Sequence, residues 1–278
     1  MSIIIIDKNS TDPERTENIK LLLNVIPKWW QESLFDEPLN VIEILEQGVN
    51  CIFLLNNNYV LKVLKPKYNW SKTNVGNKNQ SIIDNYNLIS ESNFTSTPKI
   101  VASGFSETLS GFFIATEYTQ SDNLFNLYYL ADSRTKKLYI QKFINLTKDF
   151  HGKLPGHIHE DLHFGNILVD KKGQMLLVDF DNMKKSEVFN ELRGLMQGLL
   201  LPSCCVSEEL EQYYLEPLLD ELKIIVTEYQ ELLPRERIED AKAIFKNCFD
   251  KKLNHPKFKD ILEPLYQKII KENLLESL

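Results

Sequence analysis

Cysteine is scarce and poorly placed for a staple: Cys51, the neighbours Cys204 and Cys205, and Cys248 form no C-x-x-C pair. That argues against a disulfide framework and points to reduced thiols in a cytoplasmic protein. Glycine is sparse too, ten in 278 residues, and no G-x-G-x-x-G run occurs. The apolar run at the start, Ile3 to Ile6, is too short for a secretory segment and has no basic stretch before it; nothing later approaches the length of a membrane span. A basic stripe is missing as well. With a formal charge of -7, the chain argues against nucleic acid or an anionic membrane as its main partner.

What remains is an ordinary globular composition, 43% apolar, enough to bury a sizeable core in one large or two modest domains. The segment TDPERTENIKLLLNVI opens on Thr11 or Asp12 as a cap and turns apolar at Ile19, Leu22, Leu23 and Ile26, which predicts a helix. Trp29 and Trp30 follow and are read as packing that helix. Three antiparallel strands are expected in NVIEILEQG, CIFLL and YVLKVLK, with turn signals between them. A polar stretch from Asn69 to Gln80 leads into a helix at SIIDNYNLISES. KIVASGF and GFFIATEY then complete a five-stranded sheet with one inserted helix. Beyond Gln120 the period becomes helical: LFNLYYL, then KKLYIQKFINLTKDFHGKL with Leu138, Ile140, Phe143, Ile144, Leu146 and Phe150 expected to face a core. NILV and MLLVDF form a hairpin around DKKG, and the remainder reads as helices punctuated by Pro217, Pro234, Pro256 and Pro264.

Between the long helix and the hairpin lies HIHEDLHFGNILVD, with His157, His159, His163, Glu160, Asp161 and Asn166 packed into ten positions. Two chemistries use such a cluster. The first is a dinuclear metal site of H-x-H-x-D-H type, but Leu162 stands where its next histidine belongs, and His255 alone remains downstream as a further imidazole. The second is phosphoryl transfer. Asp161-Leu162-His163-Phe164-Gly165-Asn166 has the D-L-x-x-x-N spacing in which the aspartate takes the proton of an acceptor hydroxyl and the asparagine holds magnesium. In LLVDFDN, Asp179 supplies a carboxylate for the metal that bridges the phosphates.

On these motifs the sequence resembles the protein-kinase-like superfamily over about residues 40 to 200, closest to its small-molecule branch. Aminoglycoside phosphotransferases, choline-type kinases and lipopolysaccharide-core sugar kinases carry loops like HEDLHFGNIL, with histidine two places after the aspartate. Protein serine/threonine kinases usually have lysine where His163 stands. Asp181 replaces the glycine of the DFG motif, and either supports the metal site or caps the turn.

The resemblance implies an α+β, bilobal protein-kinase-like fold: an N-terminal helical extension (1–38), an N-lobe with an antiparallel sheet plus one helix (39–118) and a mainly helical C-lobe (119–278). It further implies ATP and Mg2+ as cofactors and a hydroxyl acceptor, on a small molecule or on a protein. Lys62, on the strand face opposite Leu61 and Val63, matches the lysine that holds the phosphates. Asp84 is the expected carboxylate that orients it. Gly48, in EQGVNCIF, is the one glycine of the phosphate-cradling loop. Glu117 and Thr119, in ATEYTQ, stand where main-chain groups contact adenine. Asp161 is the base, Asn166 and Asp179 hold metal, and His159 braces the loop. The acidic run Glu208, Glu209, Glu211, Glu216, Asp220 and Glu221 reads as a solvated face or as the lining of a site for a cationic acceptor. A protein serine/threonine kinase and a pseudokinase acting as an interaction module share these features and stay open beside the small-molecule enzyme.

Overall fold

In a computed structural model of the chain the described residues are 4–6, 13–33, 35, 37–47, 50–64, 72–188, 190–191 and the single positions 239, 243 and 267. Gly48, Lys65, the acidic run 208–221, Cys204, Cys205, Cys248, His255 and the four late prolines lie outside them. The chain divides into two compact units, Met1–Gln120 and Ser121–Leu278.

The first unit is a six-stranded sheet with a helix on each face. Its elements are β1 (Ile4–Ile6), α1 (Pro13–Glu32), β2 (Val41–Gln47), β3 (Cys51–Leu55), β4 (Tyr59–Val63), α2 (Lys72–Glu91), β5 (Ile100–Ser106) and β6 (Gly111–Glu117). The strand order is β1-β2-β3-β4-β6-β5. The expected strands pair antiparallel. The sheet gains a sixth member because Ile4–Ile6 joins β2 as a parallel edge strand, a pairing that the short run of isoleucines did not announce.

Strand alternation sorts the side chains between the two faces. Ile42, Ile44, Phe53, Leu55, Leu61, Val63 and Ala115 bury against Ile19, Leu22, Ile26, Trp29 and Trp30 of α1, residues that recur at helical spacing. This packing carries α1 through Pro27. A proline inside a helix removes a backbone hydrogen bond and ordinarily ends it, yet Trp29 and Trp30 beyond it are almost wholly buried. Lys62 points to the opposite face, where its cross-strand neighbours are Ile52 and Ile114. Ser103, paired with Ile114, shares that face and donates from its hydroxyl to Asn87 of α2. The helix that covers Lys62's face is therefore α2. It starts at Lys72, well before the apolar period at Ile82 that marks it in the sequence.

In the second unit the elements are β7 (Ser121–Asn123), α3 (Leu124–Leu130), α4 (Ser133–Lys153), β8 (His157–Ile158), β9 (Ile167–Asp170), β10 (Met175–Leu177) and β11 (Lys184–Lys185). Asn123 and Asp132 cap the two helices by accepting from Phe125 N–H and Thr135 N–H. The expected hairpin is β9–β10, joined by β7 as a third strand; β8 pairs separately with β11. On α4 the buried stripe runs through Lys136, Ile140, Phe143, Ile144, Thr147, Phe150 and His151. Leu138, expected in the core, is 52% exposed. Two residues on from Lys136 is about 200° around the helix, so it faces away from that stripe.

Candidate active site

The stretch from His157 to Asn166 is anchored by alternation. Leu162 and Phe164 are buried while Asp161 and His163 between and beside them stay partly open. Phe164 meets Tyr128 of α3 and Phe143 of α4, ring centroids 4.7 and 5.2 Å away, so the loop cannot slide along the helices without breaking aromatic contacts. Phe164–Asn166 then form a single 3-10 turn. His163 caps it: its Nδ1 accepts from Gly165 N–H at 3.0 Å. A Cβ on Gly165 would lie 2.6 Å from that imidazole, so only glycine admits the cap. Asn123 ties the turn to the start of α3 by donating from Nδ2 to Gly165 C=O at 2.6 Å.

Because Gly165 N–H occupies Nδ1, neutral His163 carries its proton on Nε2, which lies 3.6 Å from Asp161 Oδ1. That distance is longer than a good hydrogen bond, and the contact is a polar attraction. It is still the leading influence holding the Asp161 carboxyl below its usual range, opposed by partial burial and supported by Asn166. Asn166 turns back on the same residue. Its Nδ2 donates to Asp161 C=O at 2.8 Å and to Asp161 Oδ2 at 3.2 Å. With the amide so oriented, Oδ1 is the donor atom that Asn166 can offer to a metal.

His159 runs inward. It is fully buried, and its Nε2 donates to Val178 C=O at 3.0 Å, joining the loop to the chain just before Asp179. Burial outweighs the neighbouring carboxylates and pushes its pKa down to about 4, so it braces the loop as a neutral imidazole. His157 turns a third way, with Nδ1 against Pro155 C=O. The three histidines thus take separate partners, and among the described residues no three His, Cys, Asp or Glu side chains converge as a metal cluster. Among the described residues the dinuclear metal reading therefore finds no ligand set.

Asp179 lies two residues past the end of β10, in a left-handed conformation (φ 69°, ψ 62°) that opens a second 3-10 turn, Phe180–Asn182. Phe180 is buried against His159 and Phe150. Glu160, immediately before Asp161, is left-handed too (φ 65°), a conformation that costs an ordinary residue on the order of 1–2 kcal/mol. Its side chain is ion-paired with Lys184 of β11. Its N–H and that of His159 are both held by Glu191, a residue that sequence reasoning passed over. No local pattern marks Glu191, because the partners are main-chain groups about thirty positions away.

In the first unit, Asp84 is exposed and accepts from Gln80 Nε2, one turn earlier on α2, at 2.9 Å. Glu117 closes β6: its N–H donates to Lys99 C=O and its carboxylate pairs with Lys99 Nζ at 2.7 Å. Thr119 follows, half-buried.

Residues 85–200 match the family model of the ABC1 atypical kinase-like domain. No curated protein matches the sequence. The matched span contains Glu117, Thr119, Asp161, Asn166 and Asp179, while Gly48, Lys62 and Asp84 precede it. Together with the antiparallel sheet and its helices, the match supports a protein-kinase-like fold.

Proposed function

We propose, on the premise of a protein-kinase-like domain, that the chain is a cytoplasmic enzyme that transfers the γ-phosphoryl group of ATP to a hydroxyl group of a small molecule. The observation that carries this is the Asp161–Asn166 pair. A carboxylate kept ionised, partly open and oriented by a neighbouring amide is what a hydroxyl needs as proton acceptor. In the transfer, the acceptor oxygen bonds to the γ-phosphorus, the bond to the ADP oxygen breaks, and the hydroxyl proton passes to Asp161. Asn166 Oδ1 and the Asp179 carboxylate are hard oxygen donors of the type Mg2+ prefers. Mg2+ bound there would offset the charge of the phosphates.

Lys62 is assigned to the phosphates, Asp84 to orienting it, Gly48 to the phosphate-cradling loop, and Glu117 and Thr119 to adenine. Preference for a small acceptor rests on His163, which stands where protein kinases usually have lysine. One observation favours a second reading, a pseudokinase acting as an interaction module: Asp84 is exposed and bonded to Gln80 on its own helix. In that state it is not orienting a lysine.

Thermal shift with Mg-ATP, and with ATP plus EDTA, separates the two readings. The enzyme gains stability from Mg-ATP and much less from ATP without metal; the pseudokinase reading predicts no shift from either. Labelled ATP offered with sugars, aminoglycosides, choline and candidate proteins then identifies the acceptor class. Asp161→Asn should keep Mg-ATP affinity and lose about 10² to 10⁴-fold in turnover. Asp179→Asn should lose the nucleotide affinity instead. Wild-type turnover in Asp161→Asn would refute the assignment of the base.

A further inference from the structure

Three asparagines, Asn56, Asn57 and Asn58, join β3 to β4. The first two are left-handed, with φ 51° and 59°, and Asn58 N–H donates to Leu55 C=O at 3.0 Å. Two successive positive φ angles in a hairpin turn favour asparagine or glycine, so the backbone alone accounts for Asn57, which is exposed. It does not account for the side chain of Asn56. That amide leaves its own turn for the segment between α1 and β2: Oδ1 accepts from Asn40 N–H at 2.8 Å and from Val41 N–H at 3.2 Å, and Nδ2 donates to Pro38 C=O at 2.8 Å. The main chain adds a fourth bond, from Asn56 N–H to Val41 C=O at 3.0 Å.

The far end of the turn leads to the residues assigned to adenine. Asn58 C=O accepts from Tyr118 N–H at 2.7 Å. A peptide unit is planar and trans, so this bond also sets the direction of Glu117 C=O, which leaves the same unit on the opposite side. Tyr59 is the cross-strand neighbour of Glu117, and its ring meets Phe35 and Trp30, centroids 4.8 and 5.7 Å away. Phe35 lies just before Pro38 in the connecting segment. That segment thus grips the turn twice, by a ring at Tyr59 and by an amide at Asn56.

We propose that Asn56 is a positioning residue for the nucleotide: by tying the β3–β4 turn to Pro38–Val41 it fixes the Asn58 carbonyl, and through Tyr118 N–H the direction in which Glu117 C=O meets adenine. The N-terminal extension is in this way part of the support of the adenine site. The consequence for affinity rests on the phosphotransferase reading. The link from Asn56 to Tyr118 does not.

The test uses the full chain, with Mg-ATP and Mg-tripolyphosphate as probes. Asn56→Gly keeps the left-handed turn, which glycine adopts without strain, and removes only the side-chain bonds. By NMR of 15N-labelled protein, the Asn40, Val41 and Tyr118 amides should exchange with solvent about 3- to 10-fold faster in this variant. Asn57→Gly, at the neighbouring left-handed position, should leave all three rates as they are. Calorimetry should show Mg-ATP bound about 5- to 50-fold more weakly by Asn56→Gly. Mg-tripolyphosphate, which has no base, should bind as it does to the wild type. Asn56→Asp keeps the acceptor for Asn40 and Val41, loses the donor to Pro38, and should fall between.

The proposal is overturned if Tyr118 exchange ignores Asn56→Gly, or if that variant binds Mg-ATP like the wild type. It is equally overturned if the two probes weaken in parallel, as in a generally loosened fold. A wild type that binds Mg-ATP no better than Mg-tripolyphosphate removes the adenine contacts and the proposal with them. A wild type that binds neither probe removes the phosphotransferase reading itself, and the exchange rates then decide the link from Asn56 to Tyr118 alone. Should Asn56→Gly not fold, Asn56→Asp decides by the same comparison of probes.

Discussion

The sheet face under α1 and the inward-facing residues of the loop from His157 to Asn166 are both buried, and different forces hold them. Under α1 the contacts are rings on rings. Trp30 stacks on Phe35 at 4.2 Å, Trp29 meets Phe113 edge-on at 5.1 Å, and Tyr59 closes on Phe35 at 4.8 Å. The Trp30 indole N–H finds Glu37 C=O at 2.6 Å, so the polar requirement of that ring is met by a main-chain oxygen. Around the loop the buried groups are His151, His159 and Glu191, each spending a polar atom on the backbone. Among the described residues, His151 Nε2 and His159 Nδ1 are buried with no hydrogen-bond partner. Apolar packing is insensitive to direction and to pH. The loop around Asp161 is held by directional bonds, and it accepts titratable, incompletely satisfied groups to have them.

The largest effect should come from the apolar side. Trp30→Ala should cost about 3–5 kcal/mol in denaturant unfolding, nearly the same at pH 8 and pH 6 (both about neutral). A loss below about 1 kcal/mol would contradict the place of α1 in that core.

Next comes acid, which should strike the loop. His151 and His159 are pushed down to about 4 from 6.5, chiefly by burial. The unfolded chain therefore takes up these protons first. Their contribution is intact above pH 6.5 and is lost as the pH falls toward 4, by up to about 3 kcal/mol for each histidine. His159→Phe should flatten that loss in chemical denaturation followed across the range; an unchanged slope would show that His159 has the same pKa in the folded and the unfolded chain.

Glu191 should work with the opposite sign. Its pKa is raised from 4.5 to about 7 by burial, so the folded state takes the proton first. Its contribution is present below pH 4.5 and is lost as the pH rises through 7, again by about 3 kcal/mol or less. Glu191→Gln removes this counterweight and should steepen the acid loss caused by the histidines. A shallower slope would contradict the assignment. The smallest change should be Lys184→Met. The pair with Glu160 is half-exposed on both sides and is worth roughly 0–1 kcal/mol, an increment that added salt should erase.

Much of the first unit was legible because burial imposes a period on the residues that suffer it. Alternation marked β2, β3, β4, β5 and β6, and it placed Lys62 opposite Leu61 and Val63. Helical spacing marked α1 and most of α4. The loop was legible through chemistry: Asp161, Leu162 and Asn166 at their spacing, followed by Asp179. The errors share a cause. The first turns of α2 carry polar residues with no period to announce them. Leu138 is apolar yet on the outer side of its helix.

What the amino-acid order determined by itself is therefore whatever neighbours in the chain can settle between them: the strand faces, the helix stripes, the glycine at 165 under the His163 ring, and the carboxylate–amide spacing of the site. Only the tertiary structure decided which distant groups meet. Ile4–Ile6 became an edge strand because β2 had an open side. Glu191 came to hold the turn at Glu160, because a bond between residues so far apart depends on how the intervening chain closes, and main-chain N–H groups carry no side-chain signature by which a partner could be read in advance.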